Sequence, residues 1–88
     1  AVENLQLVLV AEPHNSFAWR LAGVAYGRLG DEGMASLALA EAALARGEND
    51  DAERLAERAK DLLPSGSPAW LQADDVAREA ARRIDREN

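Results

Sequence analysis

Apolar residues along this chain recur every three or four positions, which is the spacing of amphipathic helices. The stretches 50–63 and 68–86 each carry one apolar stripe, and charged residues fill most of their other positions. The stretches 17–29 and 34–45 are different, because the first has only two charged residues and the second only one. A helix that is apolar nearly all round packs on several sides. The pattern therefore predicts that these two helices lie in the middle of a helical stack.

Helix-breaking residues divide the chain into units of equal length. Pro13, Gly30, Gly47 and Pro64 lie 17 residues apart, and each interval has room for one helix of about four turns and a short connection. Connections this short place consecutive helices antiparallel. The sequence therefore predicts a single all-α domain, residues 1–88, built as an antiparallel stack of about five helices. The predicted bounds are 2–12, 16–29, 32–46, 50–63 and 68–86.

Residues that cap helices follow the breakers. Asn, Asp and Ser side chains accept hydrogen bonds from the free N–H groups of a first helical turn. The predicted caps are Asn15 or Ser16, Asp31, Asn49 or Asp50, and Ser67.

The first predicted helix, 2–12, carries more apolar side chains than one neighbouring helix can cover. This surplus makes Leu5, Val8 and Leu9 candidates for self-association into a homodimer. The β-branched residues of the stretch also fit a strand, but the spacing of the breakers favours a helix.

Composition and charge narrow the classes of function. The chain has 16 acidic and 10 basic residues and a formal net charge of −6, whereas binding to nucleic acids or anionic membranes depends on clustered Lys and Arg. It has no cysteine and one histidine, His14, so a disulfide framework, a Cys-ligated zinc and a site with two histidines are excluded. No apolar run has the length of a membrane span. We therefore expect no nucleic-acid partner, no cofactor, no metal and no catalytic site.

A helix–turn–helix unit of 34 residues, twice the breaker interval, is the period of the tetratricopeptide repeat (TPR). Trp19, Ala22, Gly23 and Tyr26 fall on the Trp-x-x-Leu-Gly-x-x-Tyr spacing of that repeat, with Ala at the Leu position, and the stretch 47–64 resembles the turn, second helix and closing Pro of another unit. The chain thus resembles the TPR family, which implies a TPR-like α-solenoid that acts as a protein-binding scaffold. The residues expected to pack helix on helix are Trp19, Ala22, Gly23, Tyr26, Ala35, Leu39, Ala42, Ala52, Ala59 and Pro64.

The repeat units overlap in the middle of the chain. The helix 32–46 would be the second helix of one unit and the first helix of the next. The resemblance therefore leaves open which helices line the concave face.

The order of these segments over residues 12–86 also resembles a more specific family. It is similar to the C-terminal TPR region of bacterial periplasmic zinc metalloproteases of the β-barrel assembly-enhancing type. In that family a catalytic domain with His-Glu-x-x-His precedes the repeats, and this motif is absent from the present sequence. The resemblance implies a periplasmic accessory module of a larger chain, with envelope proteins or the protease domain of its own parent chain as partners.

TPR domains bind polypeptides along a groove, mainly through side chains of the first helix of each unit. On that basis we expect a non-catalytic module that binds a protein or peptide partner, with Arg20 and Arg28 available to pair with carboxylates. The groove candidates are Phe17, Arg20, Leu21, Val24, Arg28, Leu37 and Glu41. Homodimerisation through an exposed apolar helix face remains the alternative function.

Overall fold

The structure, a computed structural model, describes residues 15–87. In that part of the chain the backbone forms four helices and no strand: α1 (Ser16–Arg28), α2 (Glu32–Ala45), α3 (Asn49–Leu62) and α4 (Pro68–Glu87). The predicted all-α class is confirmed, and the bounds of these helices agree with the predicted ones to within one residue. The predicted helix 2–12 lies outside the described residues, as do the self-association candidates Leu5, Val8 and Leu9.

The first two turns have the same geometry because each places a glycine in the left-handed region, at φ +80° for Gly30 and +78° for Gly47. In each turn the residue after the glycine donates its N–H to a carbonyl of the last helical turn. Asp31 donates to Tyr26 at 2.9 Å, and Glu48 donates to Ala43 at 2.9 Å. These are Schellman caps, and their repetition gives two hairpins of matching shape.

Side-chain caps start three of the four helices. The Asn15 side chain accepts from the N–H of Ala18, and the Asp31 side chain accepts from that of Met34, both at 3.1 Å. Ser67 Oγ accepts from the N–H of Trp70 at 3.2 Å.

The start of α3 differs from the prediction. Its N-cap is Glu48, which makes no side-chain cap hydrogen bond. The predicted caps Asn49 and Asp50 are wrong because the Schellman turn already ends at Glu48, so that Asn49 becomes the first helical residue. The Asn49 side chain instead donates from Nδ2 to Glu87 Oε1 at 3.1 Å and thereby joins α3 to the end of α4.

The helices form an antiparallel stack in which α2 packs against the other three. Gly23 of α1 lies against Leu39 of α2, and Gly33 of α2 lies against Leu63, which follows α3. The segment 63–67 connects α3 to α4. Leu63, at φ −90° and ψ 152°, is extended because Pro64 follows it.

Alanine dominates the core. Among the described residues, 12 of the 14 buried apolar residues are Ala, and the other two are Leu37 and Val76. The largest buried cluster combines α2, α3 and α4, and a second one joins α1 to α2 around Ala18, Ala22 and Ala38. Since a methyl group fills little space, helices lined with Ala approach each other closely. This close approach leaves several large apolar side chains at the surface.

Candidate functional site

A groove lies on the face of the stack where α1 and α3 flank α2. Its volume is about 290 Å³. The floor is apolar because α2 presents small and aliphatic side chains there, and three arginines surround it. We call it the arginine groove and define it by its lining residues: Arg20, Leu39, Ala42, Ala43, Arg46, Glu48, Asp51, Arg54 and Leu55.

The three arginines of the arginine groove differ in their partners. Arg46 pairs with Glu48 at 2.9 Å, and Arg54 pairs with Asp51 at 3.4 Å. Arg20 is exposed and forms no ion pair within residues 15–87. A guanidinium without a carboxylate partner at the edge of an apolar floor can bind an incoming carboxylate through two parallel hydrogen bonds.

The predicted groove residues of α1 do not share one surface. Phe17, Leu21 and Val24 are 67%, 41% and 51% exposed, and with the exposed Arg28 they follow the i, i+4, i+7, i+11 spacing of one helix face. Ala18 and Ala22 lie on the opposite face and pack on α2. We call the four exposed residues the outer stripe. Of the predicted α1 residues, only Arg20 lines the arginine groove.

Leu37 and Glu41, the two groove candidates of α2, are also separated. Leu37 is 1% exposed and packs with Ala59 and Ala73, so its assignment to a partner-binding surface is wrong. The reason is that α2 is the central helix, and α3 and α4 cover the side on which Leu37 lies. Glu41 accepts a hydrogen bond from Gln72 Nε2 of α4 at 2.8 Å, so it faces away from the arginine groove.

The residues expected to pack helix on helix are mostly inside. Ala22, Gly23, Ala42, Ala52 and Ala59 are buried, and Trp19, Tyr26, Ala35 and Leu39 are half-buried. Pro64 is exposed, because it ends α3 and lies in the connection to α4.

The sequence pattern does not predict the ion pair that joins α3 to α4. Lys60 Nζ donates to Asp74 Oδ1 at 2.9 Å and lies 5.0 Å from the centroid of the Trp70 ring. This hydrogen bond raises the pKa of Lys60 and lowers the pKa of Asp74, against the opposing effect of burial. The 14-residue separation gives no helical spacing by which the pair could be recognised.

Glu79 is the centre of a second charged cluster, on α4. It pairs with Arg82 at 2.7 Å and Arg83 at 2.8 Å, and these hydrogen bonds lower the pKa of its carboxyl. Arg83 also donates to the carbonyl of Leu44 at 3.1 Å and so ties α4 to the end of α2. The ion pairs of Glu79 lie within α4, and it is the Arg83–Leu44 hydrogen bond that joins α4 to α2.

The described residues contain no group of three or more His, Asp or Glu placed to hold a metal ion. His14 lies outside the described part of the chain. No helix of the described region is both long enough and apolar enough to cross a membrane. Comparisons with protein-family models, with curated proteins and with solved structures gave no match.

Proposed function

We propose that this chain is a non-catalytic, TPR-like interaction module that binds a polypeptide partner in the arginine groove. The observation that carries the proposal is an apolar floor formed by α2 beside a cation, Arg20, that has no partner in the described region. Such a groove suits an extended segment that combines an aliphatic side chain with a carboxylate.

Two features of the groove favour a peptide over a small molecule. Its walls come from two different helices, and its lining combines an apolar floor with charged groups at the edges. Arg46 and Arg54 are already paired and exposed, and surface pairs of this kind contribute little to stability. A partner carboxylate can therefore take the place of Glu48 beside Arg46, or of Asp51 beside Arg54, at low cost in free energy.

The test is a selection of random peptides displayed on phage, followed by measurement of Kd for the selected peptides by fluorescence anisotropy. We expect the selected peptides to carry Asp or Glu. Arg20→Glu should weaken their binding by about tenfold to hundredfold, because a hydrogen bond to a charged group contributes about 1.5–3 kcal/mol.

Arg28→Glu is the matched control, since Arg28 lies on the same helix, is also exposed and belongs to the outer stripe. It should leave Kd unchanged. Equal losses in the two variants, or selected peptides without acidic residues, would contradict the proposed site.

The proposal extends to the parent chain on the strength of the sequence resemblance alone. We propose that the module is the C-terminal accessory region of a zinc-dependent protease, in which case its compartment is the periplasm and its partner is an envelope protein or the protease domain. Mass-spectrometric mapping of the native polypeptide, recovered with an antibody against residues 15–87, tests this. A native chain without His-Glu-x-x-His upstream would reject the parentage but not the groove.

Self-association is the alternative function, and the exposed apolar side chains of the outer stripe are the observation that favours it. Light scattering over a range of protein concentrations separates the two. A chain that stays monomeric at high concentration excludes the homodimer.

A further inference from the structure

The two ends of the described stack differ in the polarity of their outward faces. The outward face of α4 carries Leu71, Asp75, Arg78 and Arg82, all exposed, and three of these four residues are charged. The outer stripe of α1 has the same spacing, but three of its four residues are apolar. Since the terminal helix of a helical stack needs a polar outer face, α4 has the character of a last helix and α1 does not.

The packing of α1 supports the same conclusion. Among the described helices α1 contacts only α2, so its opposite face has no neighbour there. Phe17, the largest side chain of that face, is 67% exposed. A contiguous exposed apolar face of this kind marks an interaction surface.

We propose that residues 2–12 of the same chain dock on the outer stripe. This stretch is separated from α1 by three residues, 13–15, and the connections 29–31 and 46–48 have the same length. Eleven residues reach about 16 Å as a helix, whereas Phe17 and Val24 are about 11 Å apart along α1. The stretch is therefore long enough to cover all three apolar residues.

Charge favours this occupant over a second copy of the chain. The thirteen residues of α1 include no acidic residue, and Arg28, the one cation of the outer stripe, has no ion-pair partner within 15–87. Residues 2–12 include Glu3 and Glu12 and no basic residue. The same stripe from a second copy would instead bring a second Arg28 and no acidic residue.

The two described hairpins predict which residue of the stretch 2–12 lies opposite each residue of α1. Gly23 and Leu39 lie in contact and are placed symmetrically about Asp31, and Gly33 and Leu63 are placed in the same way about Glu48. Asp31 and Glu48 each follow the glycine of their turn. His14 follows Pro13, which occupies the same place in the 17-residue interval. Symmetry about His14 brings Leu7 opposite Leu21.

The chain has no cysteine of its own, so engineered thiols can test this pairing. The full chain with Leu7→Cys and Leu21→Cys is treated with a thiol-specific linker whose reach is about 10 Å, the separation of packed helix axes. We expect an internally linked monomer, identified by mass spectrometry. In the control the second thiol is at Leu71→Cys, which is 52% exposed on α4 at the other end of the stack, and no internal link should form.

Covalent dimers from the Leu7 and Leu21 variant would assign the stripe to a second copy and overturn the proposal. Equal linking in the test and control variants, or no linking in either, would overturn it as well. The linking experiment works only if the cysteine variant folds. The second measurement is therefore hydrogen exchange on the chain without engineered cysteines. The amides of residues 4–10 should be protected, and Leu21→Asp should abolish this protection while that of α3 persists. Neither measurement depends on peptide binding in the arginine groove, so this proposal and the proposed function can fail independently.

Discussion

Gly23 is the residue at which the close approach of α1 and α2 can be tested most directly. A Cβ at this position would lie 2.8 Å from Leu39 Cδ2 and 2.9 Å from Leu39 Cγ, with the carbonyl oxygen of Ala35 at 3.5 Å. Carbon atoms in contact are normally about 3.5–4.0 Å apart. Gly23→Ala therefore forces the half-buried Leu39 side chain to move away from α1.

The magnitude follows from two opposing effects. Overpacking a filled core costs about 1–3 kcal/mol, whereas replacing a helical Gly by Ala gains about 0.5–1 kcal/mol. Gly27 lies one turn further along α1, and a Cβ added there would meet no atom within 4 Å, so Gly27→Ala should show the gain alone. The two variants should therefore differ by about 1–3 kcal/mol in free energy of unfolding, and Gly23→Leu should lose more than Gly23→Ala.

The assay is thermal and urea unfolding followed by far-ultraviolet circular dichroism. Each kcal/mol corresponds to about 4–8 °C in Tm for a domain of this size, so the difference is easy to resolve. If Gly23→Ala were as stable as Gly27→Ala, Gly23 would not be in a tight helix contact, and the expected packing role of this residue would be refuted.

Two further predictions concern helix starts and charge. Asp31→Ala should lower the free energy of unfolding by about 1 kcal/mol, because it removes the capping hydrogen bond from the N–H of Met34. Glu48→Ala should lower it less, since the Glu48 side chain makes no capping hydrogen bond. Urea unfolding measures both variants. The pKa of Asp74 is held below its ordinary 3.8 chiefly by Lys60, so the stability it contributes is present above pH 3.8 and is lost as the pH falls through the lower folded value. Lys60→Met should reduce this acid dependence in unfolding curves measured at several pH values, and an unchanged dependence would contradict the assigned cause.

The helices and turns could be predicted from the sequence because their causes are local. Each turn depends on a glycine in the left-handed region, and three of the four helix starts depend on a capping side chain, so both are decided within a few residues. The 17-residue interval between the breakers then sets the length of the helices between them. The one error, at α3, also has a local cause. Glu48 closes the preceding turn and starts the next helix at once, and this double role leaves no signature in the residue types.

The surfaces could not be predicted to the same extent, because they depend on how each helix is rotated about its axis. Arg20 and Phe17 are one turn apart on α1, yet Arg20 lines the arginine groove and Phe17 does not. Leu37 is apolar like the exposed Leu21, and only the position of α3 and α4 makes it part of the core. These differences follow from packing across the whole stack.

The alanine core connects the two proposals on α1. Ala18, Ala22 and Ala38 form the centre of the contact between α1 and α2, and Trp19 and Tyr26 pack against them. The exposed apolar side chains of α1 lie on a different face, which is the outer stripe. The outer stripe continues the stack away from α2, while Arg20 projects beside the floor formed by α2. A segment docked on the stripe therefore leaves the arginine groove open, so that one helix can be covered by its own chain and still present a cation to a partner.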